Sequence, residues 1–557
     1  MSSSFETWSN ALDLPALSSR FGTPLYVTSE AQLQQNLAAL STLVGASENV
    51  AFPVKANPSF EVLRTLAKAG ASADCASAYE VQLALANGFA PSRILYNSPA
   101  PDLALLQQVY ASGGTAVADS PRALKHLAPA PAGAAGRLLI RVSLQAPVGH
   151  EEDASWKSLV AHATPTGKFG IPQEEIPALL AECAVPVSGL HLHVGTLMDN
   201  LSAFETALAA LHEMAATWGD QFGHPMNVLN LGGGLGVAFE DGQQFPSREA
   251  FVAKLAQALR PGFTYLIEPG NSLVADACAL VTKVVDTKLM RGKKWAICDV
   301  GSDQLLRATL IAWRSRILHQ GQPLPRTGPD SVAGPLCFAG DVLLPETDLS
   351  AVEPEDLLLI QHTGAYGYAV SNHFNGRLGP AHVLLREGQK PVLAMAAEDD
   401  FFEQSSLASL PLGLQDDSPR EVVSLERVNA LSSVYLREQA GEDTYQVLGL
   451  EKQGSQYTYK VAAFSPLGVV SLPFALRILS DLGIVSVLDA AGKQAKDGSV
   501  WGTRIAMSAD KMVPTKSPVT LQVWVKARRT LPAEQPSYDV HFRFNGGAFA
   551  GSARAVF

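Results

Sequence analysis

The chain has 557 residues, 47% of them apolar and 17% charged, and it carries a formal net charge of −11. This length predicts two or three domains, and the composition is typical of a globular protein with ample core material. The negative charge argues against nucleic acid or an anionic membrane surface as a partner. No apolar run reaches the roughly 18 residues of a membrane-spanning helix, and we expect no signal peptide. The five cysteines include no CxxC pair, so we expect a cytoplasmic protein without a disulfide framework or a metal site.

Short apolar runs alternate with helical patterns over the first half of the chain. The eight runs are 49–54, 71–75, 94–96, 115–118, 138–142, 187–194, 228–231 and 265–267. The segments between them, such as 78–87 and 202–218, have the apolar spacing of helices. Eight strands that alternate with helices predict a (β/α)8 barrel over residues 28–266. An open, doubly wound sheet is the competing fold.

The pattern changes after residue 267. Segments 272–286, 295–300 and 356–362 predict strands with no regular helices between them. We therefore assign residues 1–27 and 267–395 to a β-domain, which the strand at 23–27 joins.

A third part of the chain follows an acidic segment that contains Ser and Pro, residues 396–420, which we interpret as a linker. Residues 421–557 predict a separate domain with one long apolar helix at 471–487. Its predicted strands are 444–448, 457–462, 502–508, 519–527, 538–544 and 548–556.

Unusual residues follow the predicted barrel strands, and active sites of such barrels form at these ends. Lys55 ends the first run at the rim of the core, where burial can lower its pKa, as a Schiff-base lysine requires. His193, a glycine triplet at 232–234 and Glu268 follow the last three runs. A core histidine, a tight turn and a helix cap would explain these three without any chemistry. Together, however, an imine-forming amine, a stacking imidazole, a phosphate-binding glycine loop and a carboxylate for a pyridine nitrogen predict a pyridoxal 5'-phosphate (PLP) site.

Nine short motifs make the chain resemble the fold-type III PLP-dependent decarboxylases, which include the ornithine, diaminopimelate and carboxynorspermidine decarboxylases. The resemblance covers about residues 20–390. The motifs are PVKAN (53–57), DCASAYE (74–80), KFG (168–170), HLHVGT (191–196), LGGGLG (231–236), EPG (268–270), GPLCFAGD (334–341), GAY (364–366) and NHFNGR (372–377). The resemblance implies an α/β fold with a barrel and a β-domain, of the alanine-racemase-like type, and PLP as the cofactor.

The resemblance also implies a role for each matching residue. Lys55 forms the Schiff base with the cofactor, His193 stacks on its ring, and Glu268 pairs with the ring nitrogen. Asp74 and Glu80 surround the imine and His193. The remaining cofactor contacts are Thr196, Gly233, Gly234, Gly270, Asn271 and Tyr366.

Cys337 is implied as the acid that returns a proton to the substrate carbon after carbon dioxide leaves. In this family that cysteine reaches into the active site of a partner subunit, so the resemblance implies a homodimer with two shared sites. Asp341 would support that interface. A buried cysteine that acts only as a small hydrophobe is the structural alternative.

Three departures from the family pattern concern the substrate. Phe338 stands where relatives carry the acidic residue that receives a distal ammonium, and an aromatic ring offers only a weaker cation–π contact. Asn271 replaces an arginine. Arg307 matches an arginine that grips a distal carboxylate, but Ile311 replaces the tyrosine that accompanies it. We therefore predict an amino acid without a distal ammonium, either free or as a carrier-bound aminoacyl derivative.

The C-terminal domain resembles a hot-dog fold, a sheet that wraps around one helix, as in acyl thioesterases and dehydratases. Asp481 is the polar candidate on that helix, and a surface aspartate near the helix end is the simpler interpretation. For the whole chain, an amino-acid racemase and a non-catalytic regulatory or binding homologue remain the alternatives. Cys337 disfavours the racemase, and the intact cofactor residues disfavour the binding protein.

Overall fold

The structure is a computed structural model in which the chain forms two compact units, Met1–Phe401 and Phe402–Phe557. The described residues are 8–130, 136–145, 167–310, 313–395, 421–422, 444–464, 469–470, 472–492, 501–509, 513–514, 519–527, 537–544 and 549–556. The predicted linker and Ile311 lie outside these residues. None of the helices in the described ranges is long and apolar enough to span a bilayer.

A parallel barrel occupies the first part of unit one, after helix α1 (Leu14–Phe21) and strand β1 (Leu25–Ser29). Its strands are β2 (Ala51–Pro53), β3 (Ser72–Cys75), β4 (Ile94–Asn97), β5 (Thr115–Ala118), β6 (Arg137–Ser143), β8 (Gly189–His191), β9 (Val228–Asn230) and β10 (Thr264–Leu266), with a short β7 (Ile171–Pro172) beside β6. The helices are α2 (Glu30–Val44), α3 (Phe60–Lys68), α4 (Ala78–Ala86), α5 (Leu103–Ala111), α6 (Pro121–His126), α7 (Ile176–Ala181), α8 (Ser202–Phe222), α9 (Arg248–Ala256) and α10 (Asn271–Val274).

The barrel is nearly closed, which excludes the open, doubly wound sheet. A parallel bridge joins Val50, before β2, to Ile267, after β10. The Ala51 amide donates to the Ile267 carbonyl at 2.9 Å, and the Ile267 amide donates to the Asn49 carbonyl at 3.1 Å. The start of the first strand therefore lies beside the end of the last strand.

The eight strands were predictable because they are buried on both faces and so read as short apolar runs. Small and medium apolar side chains from six strands fill the barrel: Ala51, Leu95, Val117, Leu139, Val228 and Leu266. Side-chain caps fix where several helices begin, since each accepts a hydrogen bond from an otherwise unpaired backbone N–H. The capping residues are Ser29, Ser77, Asp102, Ser120 and Ser247.

A second, mainly antiparallel sheet completes unit one and includes β1, as predicted for the strand at 23–27. β1 pairs antiparallel with β11 and parallel with β18. The further elements are β11 (Cys278–Met290), β12 (Lys293–Cys298), α11 (Leu306–Leu310), β13 (Ile317–His319), β14 (Gln322–Pro323), β15 (Asp330–Ala333), β16 (Val342–Thr347), β17 (Leu357–Ile360), β18 (Ala381–Leu385) and β19 (Val392–Met395).

The strand predicted over 272–286 is wrong in its first six residues. α10 and a 3-10 turn at Ala275–Ala277 precede β11, which begins only at Cys278. The cause is tertiary, because the Asn36 side chain on α2 donates to the Leu273 carbonyl and to the Asp276 carboxylate. These contacts hold the segment in a helical turn despite its apolar sequence.

Unit two contains a seven-stranded antiparallel sheet and one long helix. Its elements are β20 (Glu421–Val422), β21 (Thr444–Gln453), β22 (Gln456–Phe464), β23 (Val469–Val470), α12 (Leu472–Ala490), β24 (Trp501–Ala509), β25 (Val513–Pro514), β26 (Val519–Ala527), β27 (Ser537–Phe544) and β28 (Phe549–Val556). The sheet order is β20-β21-β22-β26-β27-β28-β24, and α12 packs against β26 and β27.

The six predicted strands and the helix of unit two are confirmed as elements, whereas the prediction of a surface aspartate is wrong. Asp481 is 2% exposed, and it accepts a hydrogen bond from the Tyr445 hydroxyl at 2.7 Å. The described side chains around it, at 478–479 and 482–488, are buried or half-buried, because α12 packs against the sheet. The hot-dog resemblance and the exact domain boundaries stay predictions.

Candidate active site

Lys55 lies in a 3-10 turn, Val54–Ala56, that follows β2 directly. Asn57 anchors this turn, because its Nδ2 donates to the Gly364 carbonyl at 2.8 Å. Ala56, in the same turn, makes a second link, because its carbonyl accepts a hydrogen bond from the Tyr366 amide at 2.8 Å. The loops that carry Lys55 and Tyr366 are thus hydrogen-bonded to one another.

One cavity collects most of the residues predicted from the sequence, although they are far apart along the chain. It is lined by Pro53, Lys55, Asp74, His193, Thr196, Gly234, Glu268, Gly270, Asn271 and Tyr366. Two other predicted cofactor residues lie next to it. An added Cβ at Gly233 would lie 2.1 Å from the Glu268 carbonyl oxygen. The Glu80 carboxylate, which accepts from the Ala76 amide at 2.6 Å, is close enough to Asp74 for its charge to help raise the pKa of that residue.

Lys55 and Asp74 form an ion pair at the mouth of the barrel. Their Nζ–Oδ2 distance is 3.1 Å, and the Asp74 side chain is fully buried. Burial disfavours the charged amine, but Asp74, Tyr366 and Glu268 together raise the pKa of Lys55 above its ordinary value. Burial also raises the pKa of Asp74 to about 7, although Lys55 opposes this shift. The sequence-based expectation of a lowered lysine pKa is therefore reversed by a neighbouring carboxylate.

Glu268 is a buried carboxylate that remains ionised. Burial alone would raise its pKa, but His191, Lys55 and Asn230 outweigh burial and lower the pKa of Glu268 to about 2. Asn230 donates to Oε1 at 2.7 Å, and His191 Nε2 lies 3.3 Å from the same oxygen. A fixed negative charge of this kind can keep a pyridine nitrogen protonated.

Glycines bring the backbone close to the cavity wall at two points. Gly234 has φ +119°, and an added Cβ would lie 2.2 Å from the Gly195 carbonyl oxygen. An added Cβ at Gly270 would lie 3.0 Å from the Tyr366 hydroxyl. Backbone packed this closely, with a tyrosine hydroxyl beside it, provides the N–H and O–H donors that a phosphate needs.

The residues present fit PLP. The cavity offers an amine at Lys55, an ionised carboxylate at Glu268 and a glycine cradle, which match the aldehyde, ring nitrogen and phosphate of that cofactor. The buried Oδ1 atoms of Asp74 and Asn271 have no hydrogen-bond partner among the described residues. Unfilled acceptors beside a cavity favour a ligand with donors of its own.

Arg307 lies apart from this cavity but beside one of its residues, since Arg307 and Tyr366 line an adjacent pocket. Its guanidinium donates to the Ala365 carbonyl at 3.1 Å and to Ser315 at 3.2 Å, and it lies 3.8 Å from the centre of the Phe239 ring. Burial lowers the pKa of Arg307 to about 10. Nε has no hydrogen-bond partner in the described part of the chain.

The loop that carries Cys337 and Phe338 does not line the cavity within one chain. Cys337 is exposed, its amide donates to the Asn375 side chain at 2.9 Å, and Phe338 is 48% exposed. Asp341 is buried at the base of the loop, where its carboxylate accepts from the Ser302 amide at 2.6 Å and from the Leu336 amide at 2.9 Å. These bonds fix the loop and leave its tip projecting outwards.

Two residues that contact Glu268 were not predicted as site residues, namely His191 and Asn230. One signal could have identified His191. It precedes His193 by two positions at the end of a strand, so both side chains point to the same side of the barrel wall. Nothing in the sequence around Asn230 distinguishes it from an ordinary strand-end asparagine.

Gly234→Ala should weaken the folded state more than Gly242→Ala does. Both positions have positive φ, +119° and +88°, so both substitutions carry the backbone strain of a left-handed residue. Only at Gly234 does the new Cβ also meet a backbone oxygen, whereas nothing lies within 4 Å of it at Gly242. We expect a melting temperature several degrees lower for Gly234→Ala than for the control. Equal melting temperatures would contradict the tight packing described for this loop.

Comparisons with known proteins agree on one family. Residues 30–275 match the family described as "Pyridoxal-dependent decarboxylase, pyridoxal binding domain". The diaminopimelate decarboxylase of Deinococcus radiodurans is 32% identical over 391 residues, which cover 68% of this chain and 96% of that protein. That of Pseudomonas aeruginosa is 30% identical over 389 residues, which cover 68% of this chain and 92% of that protein.

Solved structures share the fold of unit one. The diaminopimelate decarboxylase from Helicobacter pylori, complexed with L-lysine, matches with a TM-score of 0.62 at 23% identity, over 71% of this chain and 99% of that chain. A mutant of SrLDC in complex with PLP matches with a TM-score of 0.58 at 26% identity, over 67% of this chain and 94% of that chain. The nearly closed barrel with its antiparallel sheet is thus the alanine-racemase-like fold. The chain belongs to the pyridoxal-dependent decarboxylase family, as a carboxy-lyase that uses PLP.

Proposed function

We propose that the chain decarboxylates an amino acid, or an aminoacyl derivative, that lacks a distal ammonium, through Lys55 and Cys337. The observation that carries this proposal is the cavity that unites Lys55, Asp74 and Glu268 at adjacent strand ends. When bound, PLP accepts the electron pair that remains on the substrate carbon as carbon dioxide departs.

The chain's own residues have separate tasks in this reaction. Lys55 would hold the cofactor covalently until the substrate amine takes its place, and the Asp74 carboxylate lies 3.1 Å from the Lys55 amine. His193 stacks on the ring, and Glu268 keeps the ring nitrogen protonated. Thr196, Gly234 and Tyr366 bind the phosphate, with Gly233, Gly270 and Asn271 beside them. Cys337 Sγ donates a proton to the substrate carbon and recovers one from solvent.

The position of Cys337 supports a homodimer with shared sites. Its loop projects away from the cavity of its own chain, and the Cys337–Asn375 hydrogen bond ties it to a second exposed loop. These loops expose large apolar side chains, Phe338 at 48%, Phe374 at 50% and Leu378 at 52%. Exposed apolar surface of this kind fits burial against a second copy of the chain, which would bring Cys337 to the partner's Lys55.

A mixing experiment tests the shared sites. Cys337→Ala removes the acid and should lower turnover about a hundredfold, and Lys55→Ala should abolish turnover. Mixed in equal amounts under exchange conditions, the two variants form heterodimers in which one site has both Lys55 and Cys337. Activity should then recover to about a quarter of the wild-type value. No recovery, although native mass spectrometry shows heterodimers, would place both residues in one chain's site and contradict the proposal.

The substrate proposal depends on the aromatic side chain at Phe338, which the resemblance places where relatives receive the distal ammonium. An ammonium enclosed there would lose water without gaining a charge-assisted partner. Arg307 can still bind a distal carboxylate, because its Nε is free of partners among the described residues and no described carboxylate pairs with it. A free distal carboxylate therefore fits better than a distal ammonium, and a neutral carrier thioester likewise avoids an unpaired ammonium at Phe338.

Diaminopimelate is the second candidate substrate, because the relatives named above are diaminopimelate decarboxylases and the buried charge of Arg307 has no described counter-ion. Its distal end carries both a carboxylate and an ammonium. The two candidates therefore agree on the carboxylate and differ on the ammonium.

Four amino acids of matched chain length separate these possibilities by carbon dioxide release. Diaminopimelate has both distal groups, 2-aminopimelate only the carboxylate, lysine only the ammonium, and norleucine neither. We expect kcat/KM for 2-aminopimelate to exceed those for lysine and diaminopimelate by at least about tenfold. This factor is the cost of burying the distal ammonium of the other two substrates without a charged partner. A preference for diaminopimelate over 2-aminopimelate would contradict the interpretation of Phe338. The pantetheine thioester of the distal 2-aminopimelate carboxyl tests a carrier-bound substrate in the same assay.

For unit two we propose a hot-dog-like domain that binds an acyl or aminoacyl thioester, or that mediates assembly. The support is the packing of α12 against the antiparallel sheet and their common core. Asp481 on α12 and its Tyr445 partner on β21 form a polar contact between the helix and the sheet, and they are the candidates for a functional contact there.

A further inference from the structure

A buried polar layer holds the carboxylate of Glu268. His191 Nε2 lies 3.3 Å from Oε1 and 3.4 Å from Oε2, and Asn230 Nδ2 donates to Oε1 at 2.7 Å. His191 and Asn230 are both fully buried, and they are direct neighbours in the register of β8 and β9. Neither residue lines the cavity that Glu268 lines. Two adjacent strands thus deliver hydrogen-bond donors to the same carboxylate.

The contact between His191 and Glu268 determines which ring nitrogen of His191 carries hydrogen. An ionised carboxylate only accepts hydrogen bonds, so His191 Nε2 must be an N–H group. His191 Nδ1 has no partner among the described residues. In the Nε2–H tautomer, Nδ1 carries only a lone pair. The Nδ1–H tautomer would instead bury a donor without a described partner, and it would set two acceptors, Nε2 and the Glu268 carboxylate, against each other.

Asn97, at the end of β4, adds a third polar group. Its Nδ2 lies 3.5 Å from His191 Nε2, and its buried Oδ1 has no described partner. Rotating the amide by half a turn would turn Oδ1 towards Nε2–H, and the two amide orientations are assigned from such contacts. Asn97 is therefore compatible with the same tautomer.

We propose that His191 is a positioning residue for the decarboxylation. Together with Asn230, it holds Glu268 ionised and oriented, so that the remaining lone pairs of the carboxylate meet the ring nitrogen of the bound cofactor. The inference rests on the role proposed above for Glu268. Charge-assisted hydrogen bonds in a dry site strongly favour the charged acid, and without them burial favours the neutral one. The ring nitrogen would then lose its counter-ion.

Two polar substitutions distinguish the hydrogen bond from a merely structural contribution. His191→Gln places an amide nitrogen near the Nε2 position and keeps a donor for Glu268. His191→Asn places its amide near the Nδ1 position, where it is too short to reach the carboxylate. Both side chains are polar and uncharged, so they form a matched pair for a buried site.

Ring-nitrogen NMR of the full-length protein, loaded with PLP labelled at that nitrogen, supplies a readout other than activity. Wild type and His191→Gln should keep the ring protonated at pH 7. In His191→Asn the midpoint of ring deprotonation should fall by at least about one pH unit. Equal midpoints in all three proteins would overturn the inference. A wild-type protein that takes up no PLP would refute the proposed function itself, a result visible before any variant is compared.

A measurement on the unchanged protein applies even if a variant does not fold. Solid-state NMR of nitrogen-labelled histidine should show hydrogen on Nε2 of His191. An Nδ1–H tautomer with a bare Nε2 would overturn the inference, because no donor would then face Glu268.

Discussion

The closure of the barrel between Val50 and Ile267 is the constraint on which the site depends. It sets the start of the first strand beside the end of the last, and Lys55 and Glu268, which follow these two strands, line one cavity although 213 positions separate them in the chain. The loop of Tyr366 is hydrogen-bonded to the same turn through Ala56. The antiparallel sheet domain thereby completes a cavity whose other walls belong to the barrel.

Attraction between opposite charges at the mouth of the barrel explains the ionisation states of Lys55 and Glu268. Burial by itself would neutralise Glu268, whereas the Lys55 side chain is 43% exposed, and each group lies within the field of the other and of further partners. Burial raises the pKa of Asp74 to about 7. Of its two charged neighbours, Lys55 lowers this pKa and Glu268 raises it. The Glu268 carboxylate stays an anion, which suits the ring nitrogen of a pyridoxal ring, and the Lys55 amine becomes a nucleophile once it has lost its proton.

The fold was largely predictable, and the reason is visible in particular segments. Strands buried on both faces, such as β5, read as apolar runs, and the site residues follow such runs because barrel loops carry them. The helical turn at α10 could not be predicted, since contacts from Asn36 on a distant helix hold it. The raised pKa of Lys55 depends on its 3.1 Å distance from Asp74, and no local pattern encodes that distance. The burial of Asp481 follows likewise from packing across a sheet.

Covalent attachment of PLP at Lys55 is the central claim, and reduction with borohydride tests it most directly. The PLP-loaded, full-length protein is reduced, digested, and mapped by mass spectrometry. The structure predicts a single pyridoxyl group, on the peptide that contains Lys55. A pyridoxyl group on another lysine, or none on a protein that retains the cofactor, would contradict the site described above.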